Sequence, residues 1–117
     1  MQTILILEDQ PSTILLLKIL LNKKDVKLCI ASDADEFYEC INKQEYDTML
    51  LDIGIPGEKN GLDLMEEYRE KGGKAKIIVC SAYTLRHDEA IERGADDFCA
   101  KPFSDNTLYK KLGLDES

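Results

Sequence analysis

Short apolar runs alternate with longer mixed stretches along the whole chain. Thr3–Leu7, Val26–Ala31, Asp47–Asp52, Lys76–Ser81 and Asp97–Ala100 are four to six residues long, mostly apolar, and bounded by turn residues. That pattern predicts buried strands. Between them lie segments with helical start and stop signals. Gln10-Pro11-Ser12 opens a helix to about Lys23, with proline tolerated in the first turn. Ser32 or Asp33 caps a helix to about Lys43. Asn60-Gly61 precedes a helix from Leu62 to about Lys71, stopped by Gly72-Gly73. A short helix ends at Arg93 before Gly94, and Ser104 caps a last one to about Leu112.

Five strand–helix units without repeats or low-complexity linkers predict an α/β domain over residues 1–117, with a five-stranded parallel sheet covered by helices on both faces. Periodicity does not give strand order. For five such units the doubly wound, flavodoxin-like order 2-1-3-4-5 is a common solution, and its switch point falls between strands one and three.

A chain of 117 residues is long enough for a real core. The formal net charge of −8 argues against nucleic-acid binding by this domain, because a phosphate backbone needs a basic face. The most apolar stretch, Ile14–Leu21, is interrupted by Lys18 and is too short to span a bilayer. Nor does Ile4–Leu7 resemble a secretory segment. The expectation is a cytoplasmic protein without membrane contact. Cys29, Cys40, Cys80 and Cys99 are widely spaced, with neither zinc spacing nor a short-domain disulfide pattern, so they read as small apolar fillers. The single histidine, His87, reads as a solvated residue on a charged helix. The leucines and isoleucines of the first helix read as core packing.

The candidate chemistry lies at the carboxyl ends of the strands. Asp52 closes the third strand just before Ile53-Gly54-Ile55-Pro56-Gly57. The first strand delivers Glu8-Asp9, the fourth ends at Ser81, and the fifth delivers Lys101-Pro102. Each has an ordinary explanation alone, as a cap, a turn residue or a surface lysine. Together they place three acids and one lysine in the crevice that the topology selects. Three carboxylates crowded without a cation raise one another's pKa, and a hard divalent ion resolves the conflict.

Ile-Leu-Glu-Asp at 6–9, Leu-Leu-Asp-Ile-Gly-Ile-Pro-Gly at 50–57, Ser-Ala at 81–82 and Gly-Ala-Asp-Asp-Phe-Cys-Ala-Lys-Pro-Phe at 94–103 resemble a response-regulator receiver domain, and the resemblance covers essentially the whole chain. It implies that Asp52 is the phosphoacceptor for a sensor histidine kinase or histidine phosphotransfer protein. It implies that Glu8, Asp9, Asp52 and the backbone carbonyl of Gly54 hold Mg²⁺, or Mn²⁺ in its place. Lys101 then pairs with the phosphoryl oxygens beside a cis bond to Pro102. Ser81 hydrogen-bonds the phosphoryl group, and Phe98 is the aromatic switch that follows it inward. Gly54 and Tyr83 flank the reactive centre and modulate phosphoryl lifetime. An ordinary aspartate, with a pKa near ~4, needs no base to act as the nucleophile. The phosphoryl group carries roughly −1.5 to −2 charges, enough to reorganise nearby loops, which describes a switch rather than a turnover enzyme. The output implied is a downstream protein, an effector domain or a phosphorylation-dependent dimer.

Two features depart from the family. Ser81 and Lys101 stand about two positions closer than usual, which shortens the fourth-helix region and disfavours a homodimer built on it. The loop from Asp52 to Gly61 is one residue longer, with Glu58-Lys59-Asn60 at its tip. Among rival functions, an aspartyl-phosphate hydrolase needs a second carboxylate at position 54, where this chain has glycine. A flavin protein needs a phosphate cradle that the first loop lacks. A phosphorylation-independent binding module with the same fold is the strongest alternative, and the intact acids, Ser81 and Lys101 oppose it.

Overall fold

In the computed structural model, which describes residues 1–82 and 86–114, five strands form one parallel sheet in the order β2-β1-β3-β4-β5. The strands are β1 (Gln2–Leu7), β2 (Val26–Ala31), β3 (Thr48–Asp52), β4 (Lys76–Ser81) and β5 (Asp97–Ala100). The helices are α1 (Pro11–Asn22), α2 (Ala34–Lys43), α3 (Gly61–Glu70), α4 (His87–Glu92) and α5 (Asp105–Leu112). Element order and strand order agree with the sequence expectation, and boundaries differ by only a residue or two.

Alternation along the strands sorts the core into two layers. Leu5, Leu7, Met49, Leu51, Ile77 and Val79 face one side, where Phe37 of α2, Leu62 and Met65 of α3 and Ala90 of α4 cover them. Ile4, Ile6, Leu50, Ile78, Cys80 and Cys99 face the other, under Leu17, Leu20 and Leu21 of α1 and Leu108 and Leu112 of α5. The central strands are buried on both faces, which is why they read as continuous apolar runs rather than alternating ones. Fully burying each large apolar side chain contributes roughly 1.5–3 kcal/mol, so the sheet interior dominates stability.

The helix ends follow local chemistry. The Asp33 carboxylate accepts the Glu36 N–H at 2.9 Å and the Ser104 hydroxyl accepts the Thr107 N–H at 3.1 Å. Asn60 and Asp63 form a reciprocal capping box at the start of α3. By contrast, the Gln10 side chain makes no capping bond, and α1 starts on Pro11 alone.

Three expectations need correction. Cys29 and Cys40 form a disulfide, with Cα atoms 6.4 Å apart. Their separation in sequence hides that the α2-facing side of β2 meets α2 at that level. Cys80 and Cys99 are free, buried fillers as expected. In α1 only Leu17, Leu20 and Leu21 are buried, while Leu15, Leu16 and Ile19 are 59%, 45% and 51% exposed. A helix on one face of a sheet buries one stripe, and this helix has more apolar residues than one stripe holds. His87 is half-exposed but not simply solvated: its ring packs edge-on against Phe98, centroids 5.3 Å apart.

No helix among the described residues is long and apolar enough to cross a membrane.

Candidate functional site

Asp52 ends β3 beside β1 on one side and β4 on the other, with Leu51 opposite Leu7 and Asp52 opposite Cys80. The parallel register brings the residues after Leu7 to the same rim. Carboxylate oxygens of Glu8, Asp9 and Asp52 lie within 4.8 Å of one another, a spacing that suits a shared cation. Glu8 is only 2% exposed and is held on two sides. One oxygen accepts the Lys101 ammonium at 2.8 Å and the other accepts the Gln10 N–H at 3.2 Å. The Lys101 Nζ also lies 3.3 Å from Asp52 Oδ2.

Lys101 reaches this rim because β5 pairs with β4, and its N–H donates to the Ser81 carbonyl at 2.9 Å. The peptide bond from Lys101 to Pro102 is cis. Ser81, at the end of β4, is 4% exposed. Phe98 lies on the same sheet face, opposite Val79, and is 6% exposed. Its ring packs against His87. Gly54 follows Asp52 closely enough for its N–H to reach Asp52 Oδ1 at 3.4 Å. Tyr83 falls outside the described residues.

The electrostatics match a cation site. Burial, and then the negative charge of Glu8, push the Asp52 carboxyl above its ordinary pKa, against the opposing pull of Lys101 and the Gly54 N–H. Burial pulls the Lys101 ammonium down, but Glu8 and Asp52 outweigh it and the net shift is upward. One ammonium therefore pairs with two of the three clustered carboxylates in a partly dry crevice. The donor set is all oxygen and clustered at one strand-end rim, which fits Mg²⁺ and similar hard ions. Asp52 lies within reach of both the acid pair and Lys101, so positive charge stands beside the carboxylate on which a phosphoryl group would be carried.

Sequence reasoning missed two contributors. Gly61 presses against the Asp52 backbone: a Cβ there stands 2.1 Å from the Asp52 carbonyl oxygen. The only signal was its place as the first helical residue after the long loop. His87 was passed over because a lone histidine on a charged helix carries no pattern.

Comparison with known proteins gives the family. Residues 4–113 match the family model described as response regulator receiver domain. The transcriptional regulatory protein DltR of Streptococcus agalactiae is 33% identical over 113 residues, covering 95% of this chain and 50% of the relative. The chain thus spans about half the length of that curated relative. Among solved structures, response regulator TrrA from Thermotoga maritima, in complex with Mg²⁺ and beryllofluoride, superposes with a TM-score of 0.86 at 31% identity, covering 97% of each chain. The receiver domain of sensor histidine kinase PA1611 from Pseudomonas aeruginosa, with magnesium in its active-site cleft, gives a TM-score of 0.85 at 26% identity, covering 95% of this chain and 93% of the other.

Proposed function

Given that the chain belongs to the response-regulator receiver family, we propose that it works as a phosphorylation switch with Asp52 as the acceptor. The observation that carries this reading is the single crevice in which Glu8 and Asp9 lie within 4.8 Å of Asp52 and Lys101 lies 3.3 Å from it. An Asp52 oxygen attacks the phosphorus of a phosphohistidine, the P–N bond breaks, and the leaving imidazole takes up a proton. Glu8, Asp9, Asp52 and the Gly54 carbonyl would hold Mg²⁺, the ion bound in two relatives of known structure. When bound, the ion shields the acceptor from the incoming phosphoryl oxygens and stabilises charge in the transition state. Lys101 pairs with a phosphoryl oxygen, Ser81 donates to another, and the Gly54 N–H orients the carboxylate.

With no acid at position 54, nothing among these residues activates water efficiently, so the domain is a switch and not a turnover enzyme. It acts in the cytoplasm, receives phosphate from a sensor kinase or phosphotransfer protein, and signals through Phe98 to an effector domain or partner protein rather than to DNA directly.

The test is intact mass spectrometry after exposure to acetyl phosphate, with Mg²⁺ and with chelator. The reading expects one added phosphoryl group in Mg²⁺, none with chelator and none in Asp52→Asn. Persistent labelling of Asp52→Asn overturns it.

A further inference from the structure

On the receiver reading, the loop between β3 and α3 carries one of the metal ligands on its backbone, the Gly54 carbonyl. Its first half is well fixed. Ile53 and Ile55 are buried, and the Ile55 and Gly61 N–H groups both donate to the Ile53 carbonyl, at 3.2 and 3.0 Å. Gly54 is thus the centre of a tight three-residue turn. Gly54 itself is exposed, and its carbonyl shares a peptide plane with the Ile55 N–H, so the bond to Ile53 sets the direction of that carbonyl.

The second half, residues 56–59, is exposed. Of these four, among the described residues, only Lys59 makes a side-chain hydrogen bond or ion pair. Its Nζ lies 2.5 Å from Glu67 Oε2 on α3 and donates to Tyr38 Oη on α2 at 3.1 Å. The ring closes on itself, because Tyr38 Oη donates to Glu67 Oε1 at 2.7 Å. The ammonium also stands 5.7 Å from the centre of the Tyr38 ring. One exposed ion pair holds little, but three mutually bonded groups on three elements select a single geometry. The contacts favour the charged forms of both ends: the bond to Glu67, then that to Tyr38, raises the Lys59 pKa, and the bond to Lys59 first lowers that of Glu67. This clasp sits in the loop that is one residue longer than the family pattern, where an unpinned tip has the most freedom.

We propose that Lys59 is a positioning residue for the divalent cation: by clasping Tyr38 and Glu67 it holds the loop tip down and keeps the Ile53–Ile55 turn, and with it the Gly54 carbonyl, in one place. Mg²⁺ demands near-ideal octahedral geometry and tolerates a wandering ligand poorly. The inference rests on the receiver reading above, and the experiment separates the two.

Mg²⁺ affinity is measured by calorimetry and by NMR titration of the Gly54 amide, in wild type, Lys59→Met, Glu67→Gln and Lys59→Arg. In Lys59→Met, binding weakens about tenfold, the low end of the range for outer-shell partners of metal ligands. Amide exchange quickens in residues 54–58, while β3 keeps its protection. Glu67→Gln shows a similar loss, and Lys59→Arg recovers most of the affinity. High salt narrows the gap between wild type and Lys59→Met, since the clasp is exposed to screening. Equal affinity in wild type and Lys59→Met overturns the inference while leaving the receiver reading intact. So does a loss accompanied by faster exchange throughout β3, which would mark general destabilisation. A wild type that does not bind Mg²⁺ at all overturns the receiver reading, and this inference with it.

Discussion

Gly61→Ala should damage the phosphoryl site from behind. Gly61 is the first residue of α3, and its N–H bonds the Ile53 carbonyl at 3.0 Å. A Cβ at this position meets the Asp52 carbonyl oxygen at 2.1 Å, the Asp52 carbonyl carbon at 2.9 Å and the Ile53 Cα at 3.2 Å. The first contact is about 1 Å short of the 3.0 Å below which such contacts essentially do not occur. Every atom it meets is backbone, so no side chain can swing aside. Either α3 lifts or the end of β3 shifts by about 1 Å, and a displacement of that size at a reacting group costs up to ~10²-fold in rate. Overpacking costs roughly 1–3 kcal/mol, against which alanine's better helix propensity returns at most ~1 kcal/mol. The variant should therefore melt modestly lower, while its phosphorylation by acetyl phosphate at saturating Mg²⁺ slows ten- to a hundredfold, an order-of-magnitude figure. The split between a small stability loss and a large rate loss is the diagnostic. Phosphorylation at the wild-type rate would show that α3 absorbs the clash and that Gly61 does not position Asp52.

Three further outcomes follow from particular contacts. Because burial and Glu8 raise the Asp52 carboxyl above its ordinary value, the folded state holds that proton more tightly than the unfolded chain, and stability falls as pH rises through the folded value. Asp52→Asn should then melt above wild type at neutral pH without divalent ions, the gap closing in acid below the unfolded value and reversing in Mg²⁺; a variant that melts lower at neutral pH in chelator contradicts the sign. Asp9→Ala removes one of three clustered carboxylates and should weaken Mg²⁺ binding sharply by NMR titration, so unchanged affinity would move the site elsewhere. The Cys29–Cys40 bond, closing a separation of 11 residues, should contribute about 2–3 kcal/mol, so reductant lowers the melting temperature, and alkylation of the denatured, unreduced protein should reach only Cys80 and Cys99.

The sheet was legible because its inner strands are buried on both faces. Ile4–Leu7 and Met49–Leu51 admit no polar residue, and a run that short has few other uses. The site was legible for a related reason: parallel strands all deliver their carboxyl ends to one rim, so Glu8, Asp52, Ser81 and Lys101 needed only correct strand assignments to be brought together. What escaped the sequence depends on how helices sit on the sheet. Cys29 and Cys40 meet through the packing of α2 on β2, His87 meets Phe98 through the seating of α4, and Lys59 finds Tyr38 and Glu67 across two helices. No spacing along the chain encodes those distances. Nor does composition reveal which leucines of α1 face outward, since Leu15, Leu16 and Ile19 are chemically the same as their buried neighbours.

Charge in the crevice orders the steps of phosphoryl transfer. Glu8, Asp9 and Asp52 bring three negative charges together, and Lys101 returns one positive charge, spent largely on the more deeply buried Glu8 at 2.8 Å rather than on Asp52 at 3.3 Å. A phosphoryl donor carrying negative oxygens is repelled from such a site, and in this partly dry environment the repulsion is much stronger than in water. A divalent cation among the three carboxylates brings the cluster close to neutrality. With such an ion held by Glu8, Asp9 and Asp52, the Glu8 oxygen would depend less on Lys101, and the ammonium would be freer to pair with incoming oxygens on the Asp52 side. The charge balance therefore favours metal before donor, and the Glu8–Lys101 pair at 2.8 Å is the contact that favours it.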